Sequence, residues 1–102
     1  MLTIMIHATI KQHRLDEFVE LAKLLIAETR ERREGCLNYE FNQRSDKPNE
    51  FVIYEQWESQ ELLDAHIEQL KELLGPAREA ELLPEKLLSC YESATPIFYN
   101  PI

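Results

Sequence analysis

The sequence predicts an α+β domain in the order strand, helix, strand, strand, helix, strand. Three observations carry this expectation. Four segments alternate apolar and polar residues with the two-residue period of a strand, two longer segments carry the wider period of an amphipathic helix, and turn or capping residues fall at the joints. With 102 residues, the chain is one domain long; we expect the domain over 1–95 and an extended C-terminal arm over 96–102.

The first strand is read at 2–10, where Leu2, Ile4, Ile6, Ala8 and Ile10 share one face and Thr3, Met5, His7 and Thr9 the other. From Leu15 to Arg33 the spacing turns helical: Leu15, Phe18, Val19, Leu21, Ala22, Leu25, Ile26 and Thr29 fall in one arc of about 160°. Arg30, Arg32 and Arg33 suit that helix's negative pole, and Gly35 its stop. Cys36 to Asn42 and Glu50 to Glu58 alternate as two strands, joined through the turn residues Ser45-Asp46-Lys47-Pro48-Asn49 as an antiparallel hairpin. Ser59 caps a second helix whose apolar arc of about 140° holds Leu62, Leu63, His66, Ile67, Leu70, Leu73 and Leu74, and Gly75-Pro76 ends it. A short helical turn over 77–84 and a last strand from Lys86 to Ala94 complete the order; the prolines of the tail argue for an arm rather than a strand. This is the ferredoxin-like βαββαβ arrangement with a four-stranded antiparallel sheet. Two helices cover one face of it, and Met5, Val52 and Tyr54 make the other too apolar for water, so we expect a homodimer.

Composition narrows the function. A formal net charge of −8 repels polyphosphates, so neither nucleic acid nor an anionic membrane surface is an expected partner. Apolar runs are too short to cross a bilayer and the N-terminus does not read as a secretory leader, which gives a cytoplasmic expectation. Cys36 and Cys90 form no CxxC pair and read as reduced core residues. Two glycines allow no phosphate-cradling loop, no metal set is spelled by local spacing, and no nucleophile elbow is present.

One constellation is left. Glu55 and Trp57 share a face of the third strand and His66 lies in the apolar arc of the next helix, so the three can converge. An imidazole beside a carboxyl holds a proton that moves near neutral pH, and an indole offers a flat apolar wall with one donor. These residues are the catalytic candidates, and they are expected to look into a hollow between helices and sheet. His7, Tyr39, Phe51, Ile53 and Leu63 are expected to line it, and no metal is expected. Pattern alone favours a hydrogen-bonded core histidine and a large core filler over a site.

Met1 opening a strand, Gly35-Cys36-Leu37-Asn38-Tyr39, and Tyr54-Glu55-Gln56-Trp57-Glu58-Ser59 followed by Leu62-Leu63-Asp64-Ala65-His66 together resemble the antibiotic biosynthesis monooxygenase domain over residues 1 to about 95. The resemblance implies a dimeric α+β barrel and oxygenation of quinols or related small aromatic or enolic compounds by dioxygen, with neither flavin nor metal. It casts Trp57 as pocket wall and donor, His66 as base or substrate-orienting group, and Glu55 as the imidazole's partner. Departures limit the carry-over: His7 falls near the first-strand Asn of haem-degrading relatives, and Lys71 stands where many members carry a second histidine. Other readings are a non-catalytic ligand-binding or structural dimer of this fold, and a relative of the autoinducer-2-type phosphosugar isomerases.

Overall fold

The side-chain periods translate into layers. In the computed structural model, which describes residues 1–32, 34–77, 79, 81 and 83–102, the strands are β1 (Leu2–Ile10), β2 (Cys36–Gln43), β3 (Glu50–Trp57) and β4 (Tyr91–Tyr99). The helices are α1 (Leu15–Arg32), α2 (Gln60–Leu74) and the single turn α3 (Glu85–Leu88). The strands form one antiparallel sheet in the order β2-β3-β1-β4, the α+β, ferredoxin-like arrangement that the alternation predicts. Arg33, the predicted last residue of the first helix, lies outside the described residues. So do positions 78, 80 and 82 of the helical turn expected over 77–84.

Register decides which face each residue joins. Ile4 pairs with Glu55, Ile6 with Ile53 and Ala8 with Phe51, and this row faces the helices. Phe18 of α1 enters it with no exposed surface, its ring 5.0 Å from Phe51, 5.6 Å from Tyr91 and 5.9 Å from Phe41. At 0.5–1.5 kcal/mol per aromatic pair beyond area burial, about three such contacts make Phe18 the anchor that docks α1. On the opposite face Met5 pairs with Tyr54 and His7 with Val52. Met5, Val52 and Tyr54 are half-buried, His7 is exposed, and Gln56 bridges neighbouring strands by accepting from Asn38 at 2.6 Å and donating to Thr3 at 3.1 Å.

Two joints set where α2 sits. Gly35 has φ +80°, a conformation that costs most residues about 1–2 kcal/mol. A Cβ there would also run into Leu62 Cδ1 of α2, so glycine lets the turn and helix touch. Ser59 then caps α2 by accepting from the Leu62 N–H, satisfying an otherwise orphaned donor.

The C-terminal reading needs correction. Residues 86–88, which weak alternation places in the last strand, lie instead in the helical turn Glu85–Leu88: Pro84 precedes it with φ −54°, and Glu-Lys-Leu-Leu is a run of good helix formers. The strand starts later and runs through Pro96 to Tyr99, pairing Ile6 with Pro96 and Thr3 with Tyr99. Proline is tolerated there because β4 is an edge strand. Among the described residues no helix is long and apolar enough to cross a membrane.

Candidate functional site

Strand alternation puts Glu55 and Trp57 under α2, and the helical period puts His66 above them. Trp57 is wholly buried, and His66 and Glu55 are 3% and 7% exposed. The indole Nε1–H donates to Glu55 Oε1 at 3.0 Å. His66 Nε2 lies 3.9 Å from that same oxygen, an ion-pair distance for a protonated imidazole and beyond a hydrogen bond. The imidazole leans on the indole with centroids 4.6 Å apart and planes at 36°, and meets Tyr39 edge-on at 5.1 Å. The four side chains form one polar knot inside an apolar layer.

The electrostatics follow from burial. Desolvation pushes the Glu55 carboxyl above its usual value, while the indole N–H, by stabilising the anion, pulls it part of the way back. Burial, reinforced by the Glu55 charge, pushes the Tyr39 hydroxyl well above its usual range, and Thr29 beside it acts in the opposite sense. Tyr39 is therefore a neutral phenol at physiological pH. An imidazole that takes up a proton here faces the Glu55 carboxyl at ion-pair distance.

The space beside this knot is not where the spacing led us to look. Where a hollow is expected between helices and strands, the indole and imidazole pack on each other and Trp57 has no exposed surface. The opening lies further out, between the helices: a partly open cavity of about 280 Å³ lined by Glu28 and Thr29 of α1 and by His66, Gln69, Leu70 and Leu73 of α2. His66 is thus shared, touching the knot and bordering the cavity. Gln69 adds a carbonyl: its Oε1 is buried and accepts no hydrogen bond among the described residues.

Of the sequence candidates, Glu55, Trp57, His66 and Tyr39 come together. Phe51, Ile53 and Leu63 lie in the core and border no part of the cavity. His7 stands on the opposite face of the sheet, where β1 alternation turns it away from the helices. Glu28, Thr29 and Gln69 line the cavity without any motif that marks them in the sequence. The available signal was spacing: residues 66, 69, 70 and 73 recur at i, i+3, i+4 and i+7 and so occupy one face of α2. Among the described residues no group of three or more His, Cys, Asp or Glu could hold a metal ion.

Residues 1–73 match the model of the antibiotic biosynthesis monooxygenase family. Three solved structures are similar to the whole chain. One, an antibiotic biosynthesis monooxygenase, is 24% identical with a TM-score of 0.76, covering 100% of this chain and 99% of its own. A conserved protein from Methanosarcina mazei Go1 is 27% identical, covering 97% and 92%, with a TM-score of 0.69. A candidate antibiotic biosynthesis monooxygenase from Nitrosomonas europaea is 19% identical with a TM-score of 0.80, covering 99% and 89%. No functionally curated protein matches the chain.

Proposed function

The chain belongs to the antibiotic biosynthesis monooxygenase family, and from that premise we propose that it oxygenates small acidic aromatic or enolic molecules, quinols foremost, in the cavity between α1 and α2. The observation that carries this reading is the position of His66, whose imidazole borders the cavity while standing 3.9 Å from the buried Glu55 carboxyl. A base that meets a ligand on one side and a carboxylate on the other is stabilised when it takes up a proton.

In the proposed reaction His66 takes the proton of a ring hydroxyl, and Glu55, held by the indole N–H of Trp57, balances the imidazolium. The electron-rich anion passes one electron to dioxygen, and the resulting superoxide and ligand radical combine at a ring carbon as a peroxide anion, which takes the proton back from the His66 imidazolium. The hydroperoxide then loses water: its O–O bond breaks, the proton leaves the same carbon, and a carbonyl forms. Four electrons leave the substrate, one oxygen atom enters the product and the other enters water. The protein's share is binding, deprotonation and charge balance.

Size and charge support this choice of ligand. An apolar cavity of about 150 Å³ holds benzene, so about 280 Å³ accommodates one or two fused rings. The lining includes the carboxylates Glu28 and Glu72 and no Lys or Arg among the described residues, which disfavours a phosphosugar. A second copy of the chain is the proposed occupant of the open sheet face, where Met5, Val52 and Tyr54 share a surface with Ile97, paired opposite Met5. A non-catalytic ligand-binding dimer remains the competing reading, favoured by the close packing of Trp57 on His66.

The test is dioxygen uptake by chelator-treated protein supplied with a panel of reduced naphthoquinones and anthrones. Saturable uptake above the uncatalysed rate is expected. Background rates across the panel overturn the oxygenation reading.

A further inference from the structure

We infer that Gln69 selects ligands by accepting a hydrogen bond from a second ring hydroxyl, so that the cavity prefers a dihydroxylated aromatic to one with a single free hydroxyl. The inference rests on the proposed use of the cavity as the ligand site. Gln69 lines the cavity one helical turn beyond His66 on α2. Its Oε1 is buried, with no hydrogen-bond partner among the described residues. Buried polar atoms are paired in the great majority of cases, and an unpaired one destabilises the fold. An orphaned acceptor on a residue that lines the cavity is accounted for when a ligand supplies the missing donor.

The geometry suits that role. Side chains at i and i+3 on a helix stand about 5–6 Å apart at Cβ, so His66 and Gln69 present a base and an acceptor on neighbouring parts of one wall. The terminal torsion of a glutamine is broad and soft, so a small turn of the amide brings the carbonyl toward the cavity at little cost. Leu70 and Leu73 supply apolar surface for the ring. A ligand with two hydroxyls gives one proton to His66 and one hydrogen bond to Gln69. Capping or deleting the second hydroxyl leaves the carbonyl buried and unpaired, and that asymmetry is the source of discrimination.

The test compares 1,4-dihydroxynaphthalene, 4-methoxy-1-naphthol and 1-naphthol, titrated without oxygen into the wild type, Gln69→Leu and Gln69→Met. Trp57, the sole tryptophan, reports binding through the ring contact it makes with His66. The wild type is expected to bind the diol about tenfold more tightly than either mono-hydroxyl compound. Both variants are expected to lose that preference by weakening for the diol alone, while melting no lower than the wild type, because each removes an unpaired buried carbonyl. A wild-type preference that survives in both variants, or binding with no preference, overturns the role of Gln69 while leaving the cavity as the ligand site. A wild type that binds none of the three overturns the ligand-site reading and this inference with it. A Gln69-dependent preference without dioxygen uptake sustains this inference and overturns oxygenation.

Discussion

Replacing Trp57 by phenylalanine tests the polar knot, because it removes one hydrogen bond whose strength depends on the charge of its acceptor. The bond is 3.0 Å long and ends on a carboxyl that is 7% exposed. Hydrogen bonds to charged groups contribute about 1.5–3 kcal/mol net, against about 0.5–1.5 for neutral pairs. The smaller ring adds about 1 kcal/mol, from a void of roughly 40 Å³ at about 24 cal/mol per Å³. With Glu55 ionised, Trp57→Phe is expected to cost about 2.5–4 kcal/mol. In a Glu55→Gln background, where the acceptor is a neutral carbonyl, the expected cost falls to about 1.5–2.5 kcal/mol. The cycle therefore carries a coupling of about 1–1.5 kcal/mol. Urea denaturation of the four proteins at pH 8 and one fixed concentration, followed by far-UV circular dichroism, measures it. Equal costs in the two backgrounds would refute the reasoning, since the bond would then not depend on a buried charge.

Other outcomes follow from the same coordinates. Burial raises the Glu55 carboxyl above the ordinary 4.5, so between that value and the folded one the native chain holds more protons than the unfolded chain. The contribution of Glu55 to stability is complete below about pH 4.5 and is lost as pH rises through the folded value; Glu55→Gln is expected to flatten that stretch of the profile in thermal melts. Gly35→Ala forces a positive φ and drives a Cβ into Leu62; more than about 2 kcal/mol of lost stability is expected, and Leu62→Ala in that background recovers part of it. His66→Ala is expected to lower dioxygen uptake about 10²- to 10⁴-fold with an unchanged far-UV spectrum, and full activity would remove His66 from the reaction. Tyr54→Lys, placed on the open sheet face, is expected to shift sedimentation from dimer to monomer, and an unchanged mass would move the interface elsewhere.

The fold was legible wherever one side of an element is dry. Phe51, Ile53, Glu55 and Trp57 alternate in sequence because they alternate between layers, and Leu63, His66 and Leu70 recur with the helix because one stripe of α2 is buried. The C-terminal strand was misjudged where that contrast fades: all of β4 after Tyr91 is exposed, so its side chains carry no alternation, and Pro96 is permitted by an edge position that only topology reveals. The knot was legible for the same reason as the core, since a carboxyl and an imidazole at apolar positions stand out against the period. The cavity was not. Its walls include the rims of two helices, where Glu28 and Gln69 obey the ordinary rule that polar residues flank a buried stripe; only the packing of α1 against α2 tells such a rim from open surface. His7 shows the converse, a chemically suggestive residue that strand parity sends to the other side of the sheet.

Oxygenation in this fold requires a ligand seated against His66 between the two helices. Leu70→Trp narrows that cavity from its wall and leaves Glu55, Trp57 and His66 in place; with Trp57 no longer alone, binding is read by calorimetry. Titrating 1,4-dihydroxynaphthalene without oxygen into both proteins should give saturable heat with the wild type and none with Leu70→Trp. Equal binding by the two, with both folded, would show that the ligand goes elsewhere.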